Sequence, residues 1–207
     1  MNITQHQTIL HKAFILMLFL MCSQQQASSQ SINSNQAASP THFLGLGAGI
    51  NDYGLGIGSE VKAYKNCWVY GNAGISTWGY RLTGGINFYS SAIGYKSSFS
   101  LGYSYALGID DFEPTLEVHK YRFSAFQEYI ETEVLMDLHP IGTINFIYSY
   151  NLKVGMKSKF VFSGGYSLIL TNDIYENKSI YELTEKSKDF IDIMAPGGVI
   201  VGVKFMI

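Results

Sequence analysis

The chain has 207 residues, a formal net charge of −2, 14% charged residues against the ~25% of soluble domains, 14% aromatics and 21 glycines. Without a basic excess it is not composed as a nucleic-acid binder, and two cysteines make neither a disulfide framework nor a cysteine-rich metal module. No apolar run reaches the ~20 residues of a membrane-spanning helix.

Residues 1–12 are polar with one lysine, residues 13–22 are a nearly unbroken apolar run, and Ala27-Ser28-Ser29 supply small side chains. That order predicts a secretory signal peptide over 1–29, the run being too short for a helical anchor. Lipid attachment at Cys22 is disfavoured by the bulky Met21 before it. Removing the segment leaves Cys67 without a disulfide partner, so an exported domain must draw stability from elsewhere. A polar, flexible leader is predicted over 30–42 and a β-barrel over 43–207.

From Leu44 the chain alternates apolar and small or polar residues with a period of two, the pattern of strands with one apolar face. Leu44, Leu46, Ala48 and Ile50 alternate with glycines up to a turn at Asn51-Asp52, and Leu55, Ile57, Val61 and Ala63 then run to a turn at Lys65-Asn66. A less regular strand over 67–78 follows, and after Gly79 the residues Leu82, Gly84, Ile86 and Phe88 oppose Arg81, Thr83, Gly85 and Asn87. Residues 92–106 read as one long strand, with Ile93, Tyr95, Phe99, Leu101, Tyr103 and Tyr105 on one face and Lys96 among small residues on the other. Further strands are predicted around Ile144 to Tyr150, around Phe160 to Leu170, and over 198–207. Eight antiparallel up-and-down strands result, or ten if residues 107–140 add a pair. Within 107–140, Ser124-Ala125-Phe126-Gln127 suits a helix cap, with Phe126, Ile130, Val134 and Leu138 on one side. The same stretch also alternates as a hairpin, from Ile130 through Val134 to Leu138.

The charges obey one rule. Glu60, Lys62, Arg81, Lys96, Lys159 and Lys204 all fall on the small, polar phase of their strands, as a membrane barrel requires when a lipid-facing charge costs ~2–4 kcal/mol at mid-bilayer. They are expected to form a polar cluster in the lumen, with Lys96 meeting Glu60, while Tyr95, Tyr103, Tyr105, Tyr148, Tyr150 and Phe205 form an aromatic girdle. An eight-stranded lumen is filled by side chains; conduction through it, or a small anion site within it, is the sharper alternative. Connections alternate between short turns and the long segments 108–140 and 171–195, the asymmetry of short periplasmic turns and long external loops. Of the sixteen acidic residues, fourteen lie in those two segments, with Asp52 in a third outer turn. Solvation accounts for such loops; divalent cations bridging them to anionic surface glycolipid is the functional reading.

The leader-like N-terminus, the run Ser98-Phe99-Ser100-Leu101-Gly102-Tyr103 and the final strand resemble the small outer-membrane β-barrel proteins of Gram-negative bacteria, the outer membrane protein beta-barrel domain type. The resemblance implies insertion among outer-membrane lipids and reading of the last strand, with Phe205 in phase, by the assembly machinery. Some barrels of this kind act on lipid A, but His119, Ser124 and Glu128 form no recognisable catalytic spacing, and His119, Glu131, Glu133, Asp137 and His139 no metal-ligand spacing. No catalytic, cofactor or metal site is therefore expected. The expected function is structural or surface-interacting, through the acidic loops. A small porin or solute-binding channel is the second reading. A soluble lipocalin-like barrel, with the aromatic face turned inward, is the third, because inversion preserves the alternation.

Overall fold

The computed structural model describes residues 40–119, 129–155 and 157–207. The predicted signal peptide 1–29, nearly all of the leader and the helix cap at Ser124 lie outside the described residues. In chain order the strands are β1 (His42–Ile50), β2 (Gly54–Tyr64), β3 (Cys67–Ser76), β4 (Gly79–Tyr89), β5 (Lys96–Ala106), β6 (Ile109–Phe112) and β7 (Thr115–His119). They continue as β8 (Tyr129–Glu133), β9 (Met136–Leu138), β10 (Ile141–Val154), β11 (Ser158–Ile169), β12 (Tyr175–Asn177) and β13 (Glu182–Leu183). Helix α1 (Glu185–Met194) and β14 (Gly198–Met206) complete the chain.

Eight strands close into an antiparallel barrel in the order β1-β14-β11-β10-β5-β4-β3-β2, sealed where Leu46 pairs with Phe205 and Ile50 with Val201. Closure leaves no strand edge unpaired. The alternation decides facing: Leu46 is 67% exposed on the outer wall, while Thr143 and Asn145 inside are 0% exposed. The aliphatics and aromatics on the apolar phase of the strands therefore line the outside, the reverse of a lipocalin-like arrangement, while a smaller set that includes Phe43, Trp68 and Tyr70 is buried.

Large interior side chains need room, and glycine supplies it. A Cβ on Gly102 or Gly85 would run into the Tyr70 ring or its hydroxyl, and one on Gly47 into the Tyr53 hydroxyl. Tyr53 and Tyr70 thus lie across a wall that has no side chains of its own there.

Strand β5 starts four residues later than the alternation predicts. Gly94 and Lys96 both adopt positive φ, 75° and 66°, and Ser90 N–H bonds the Ser97 carbonyl across the turn. This left-handed pair breaks the period and swings Tyr95 inward, to 4% exposure. Tyr95 is accordingly no part of an outer girdle. It packs in the barrel's base with Phe43, Trp68, Tyr89, Val161 and Met206.

The long segments fold over the other end as a cap, and the ten-strand alternative does not occur. Two three-stranded sheets, β12-β9-β6 and β13-β7-β8, combine strands from both segments. The alternation from Ile130 is real, since β8 pairs with β7 in a hairpin outside the barrel. The helix forms instead in the second segment, where Thr184 caps α1 by accepting the Ser187 N–H. Trp78, Leu116, Val118, Met136, Leu138, Ile141, Leu183 and Ile191 make the cap's core. Trp78 Nε1 donates to the His139 carbonyl at 2.8 Å, joining the β3–β4 turn to the cap. Lys178 clamps the β12-β9-β6 sheet, reaching Asp137 at 2.6 Å and Asp111 at 3.0 Å.

Gly102→Ala should destabilise the barrel by about 1–3 kcal/mol through overpacking against Tyr70. Gly164→Ala, with open space around it, should leave the urea-unfolding midpoint nearly unchanged. The Lys178 clamp should be pH-limited at both ends. Lys178's hydrogen bond, then the Asp111 N–H, hold Asp137 below the usual carboxylate range, and Asp137 then Asp111 raise Lys178. A depressed acid stabilises above its unfolded value of ~3.9 and a raised lysine below ~10.4. Hydrogen-exchange protection of β9 and β12, corrected for intrinsic rates, should thus be lost as pH falls below about 4, with the barrel strands still protected. Equal loss in barrel and cap would contradict a local clamp.

Candidate functional site

Two features hold the polar chemistry of the described residues: the lumen and the cap. In the lumen's lower tier, towards the chain termini, Lys159 is 0% exposed and bonds Glu60 Oε2 at 2.8 Å and the Tyr89 hydroxyl at 2.7 Å. The Tyr89 hydroxyl in turn donates to Glu60, and Asn87 Nδ2 donates to Glu60 Oε1 at 3.0 Å. The ammonium also reaches the Gly94 carbonyl at 3.3 Å and lies 4.0 Å from the Phe43 ring centroid. Every strong donor and acceptor of the ion pair is thereby used, which a buried pair needs because desolvation costs several kcal/mol per ion.

In the upper tier Lys204 sits 3.6 Å from Asp52 Oδ2, with the Tyr53 ring centroid 4.6 Å away. Asp52 is the acid the sequence misplaces. Although it lies in a turn, it is 0% exposed, because Asn51 at φ 58° turns the chain so that Asp52 and Tyr53 both fold into the lumen. Its backbone carbonyl accepts from Thr83 at 3.0 Å, and Thr83 shares a hydrogen bond with Ser104. Arg81 donates to Thr143 at 3.1 Å, and Asn145 ties Thr143, Ser104 and Ser167 together.

Of the six predicted lumen residues, Glu60, Arg81, Lys159 and Lys204 are buried there. Lys62 and Lys96 have the correct phase but the wrong depth. Lys62 donates to the Ala92 carbonyl at 2.7 Å at the barrel's lip, and Lys96 is exposed at the start of β5, so it does not meet Glu60. The interior therefore balances Asp52 and Glu60 against three cations, instead of one acid against five. The gap left among Asp52, Glu60, Tyr70, Asn87 and Lys204 is about 10 Å³, at most the space of one water. Of the predicted girdle, Tyr103, Tyr148, Tyr150 and Phe205 face outward and are exposed, and Tyr105 faces outward half-buried.

On the cap, His119 packs against Tyr129 with ring centroids 5.3 Å apart, while Ser124 and Glu128 lie outside the described residues. Asp137 is taken up by Lys178, and His139 Nδ1 lies 3.2 Å from the Asp173 carbonyl. Among the described residues no three His, Cys, Asp or Glu side chains come together as a metal site. The second segment opens a concavity of about 420 Å³ lined by Tyr175, Asn177, Tyr181, Glu182 and Lys188, which the sequence did not signal.

Together these define a class of structure: an eight-stranded up-and-down barrel with a filled polar lumen, an apolar outer wall and an acidic cap. Comparison of the chain with protein-family models, curated proteins and solved structures found no match.

The lower tier makes a direct prediction. Glu60→Gln or Lys159→Met alone should cost about 3–5 kcal/mol by stranding a buried charge, and Glu60→Leu with Lys159→Met should recover most of the loss. Additive losses in urea unfolding would show that the two groups are not coupled.

Proposed function

We propose that the chain is an exported barrel embedded in the outer membrane of a Gram-negative type of cell, where its acidic cap acts as a surface for interaction. One observation carries the reading: the whole outer wall is apolar while the polar groups are sequestered inside. Leu55, Ile57, Phe88, Phe99, Tyr148, Phe162 and Val201 are each exposed by about half or more, a contiguous belt far beyond what a monomer leaves to water. Strands β2, β4 and β5 have 11 residues and β10 has 14, enough for the ~9–11 residues of a tilted membrane strand.

The predicted signal peptide fits this reading, supplying export, as does a final strand that offers Phe205 to the assembly machinery. Residues 107–140 and 171–195 carry fourteen carboxylates against five lysines and arginines, so the cap is strongly acidic. Divalent cations would let such a surface approach anionic glycolipid, which it would otherwise repel. Steady conduction is disfavoured by the filled lumen, and lipocalin-like binding by the outward aromatics.

Fractionation tests the reading. The protein should stay with the outer membrane after carbonate washing and shift its gel mobility on boiling. Planar-bilayer recordings of folded protein should show no steady conductance. Extraction without detergent, with no mobility shift, would defeat the membrane assignment, and a stable open conductance would defeat the filled-lumen role.

A further inference from the structure

The end of the barrel opposite the cap is basic where the cap is acidic. Lys62 at the end of β2, Lys65 in the β2–β3 turn, Lys96 at the start of β5, and Lys153 and Lys157 at the β10–β11 turn all stand at this lip. Four of the five are exposed, and Lys62 is half-buried with its ammonium on the Ala92 carbonyl. None has a carboxylate partner among the described residues; Lys65 lies over Tyr64 and Lys153 over Tyr95, each 5.3 Å from the ring centroid. Register places Lys96 opposite Asn151, two residues from Lys153 on the adjacent strand, so their charges are neighbours.

These charges share one end of the barrel, where Lys96 and Lys153 repel as neighbours, and no ion pair among the described residues neutralises any of the five. The collar also continues directly into the apolar belt, because Tyr150, Leu152, Phe160 and Ile207 are exposed at the same level. An apolar band ending in lysines and tyrosines matches the acyl-to-phosphate boundary of a lipid leaflet, with lysine stems lying along the belt.

We propose that this lysine collar is a binding site for anionic phospholipid headgroups, and that it fixes the barrel with its cap pointing away from that leaflet. The inference rests on the membrane reading above and adds to it the lipid class and the leaflet. Charge complementarity excludes the acidic cap as the region in contact with those headgroups.

The test uses the full protein reconstituted in phosphatidylcholine bilayers, with spin-labelled phosphatidylglycerol or phosphatidylcholine as the probe. At low salt the native protein should retain phosphatidylglycerol at least about fivefold more strongly, the effect of one well-placed lysine. Changing Lys62, Lys65, Lys96, Lys153 and Lys157 together to Gln should bring the ratio to near one. Changing the cap's exposed Lys186 and Lys188 to Gln should leave it unchanged. The boiling-dependent gel shift checks that each variant is folded. A folded, inserted native protein without lipid preference overturns the collar alone, as does a five-lysine variant that keeps the preference. Loss of the preference to inorganic phosphate, but not to chloride of equal ionic strength, would mark a free-anion site and also overturn it. A protein that never enters the bilayer overturns both the collar and the membrane reading.

Discussion

Lys159 carries a side-chain ammonium that water cannot reach, and the lower half of the barrel is arranged around it. Its partners come from three other places in the chain: Glu60 on β2, Tyr89 on β4 and the Gly94 carbonyl in the following turn. The last of these explains an otherwise awkward loop. The left-handed conformation at Gly94 leaves no room for a side chain, since a Cβ there would press on Trp68 and Phe43, yet it aims a carbonyl at the ammonium and folds Tyr95 into the same base. The aromatic faces of Phe43 and Tyr89 complete the shell around the charge. A purely apolar base could match this in stability; a network with one satisfactory arrangement also fixes the register of strands that are far apart in sequence.

The upper half solves the same problem with less hydrogen bonding. Lys204 and Asp52 stand at 3.6 Å, and both Asp52 carboxylate oxygens lack a hydrogen-bond donor among the described residues. The adjoining gap among the described residues is about 10 Å³, too small for more than one water, so the tiers act as one plug and not as the walls of a channel. Glycine on one strand and tyrosine on another are complementary halves of the design: Tyr70 spans the space that Gly85 and Gly102 vacate.

What was legible in the sequence follows from the range of the interactions involved. Alternation is set by the nearest neighbours in the chain, so the barrel strands and the shared phase of all six strand charges could be read directly, whereas which face turns outward could not, because inversion preserves the pattern. Depth along the barrel could not, because phase says nothing about where a strand enters the closed part; Lys62 and Lys96 therefore come out at the lip. Asp52 and Tyr95 failed for a related reason. Each sits beside a residue of positive φ, Asn51 or Gly94, where the alternation rule stops applying. The cap was the least legible, since its sheets join residues as distant as Ile109, Leu138 and Tyr175. Local signals there are confined to the alternation from Ile130, which forms β8, and to α1, with Thr184 as cap ahead of the buried Ile191.

The distribution of charge then links the parts. Inside the barrel Glu60 meets Lys159 and Asp52 meets Lys204, while Arg81 is held by the Thr143 hydroxyl, so little of the chain's acid–base asymmetry is spent on the lumen. What remains is separated end from end, with carboxylates on the cap and lysines at the lip, across a wall whose strands carry no exposed charge between them. A soluble barrel gains nothing from that separation, because water screens both ends within about 10 Å at ordinary ionic strength. In a membrane the two ends meet different surfaces and cannot exchange, and charge along the wall is costly at mid-depth but tolerated at the boundaries. The arrangement of ends and wall thus obeys a single constraint, that charge is confined to the places where an apolar layer would stop.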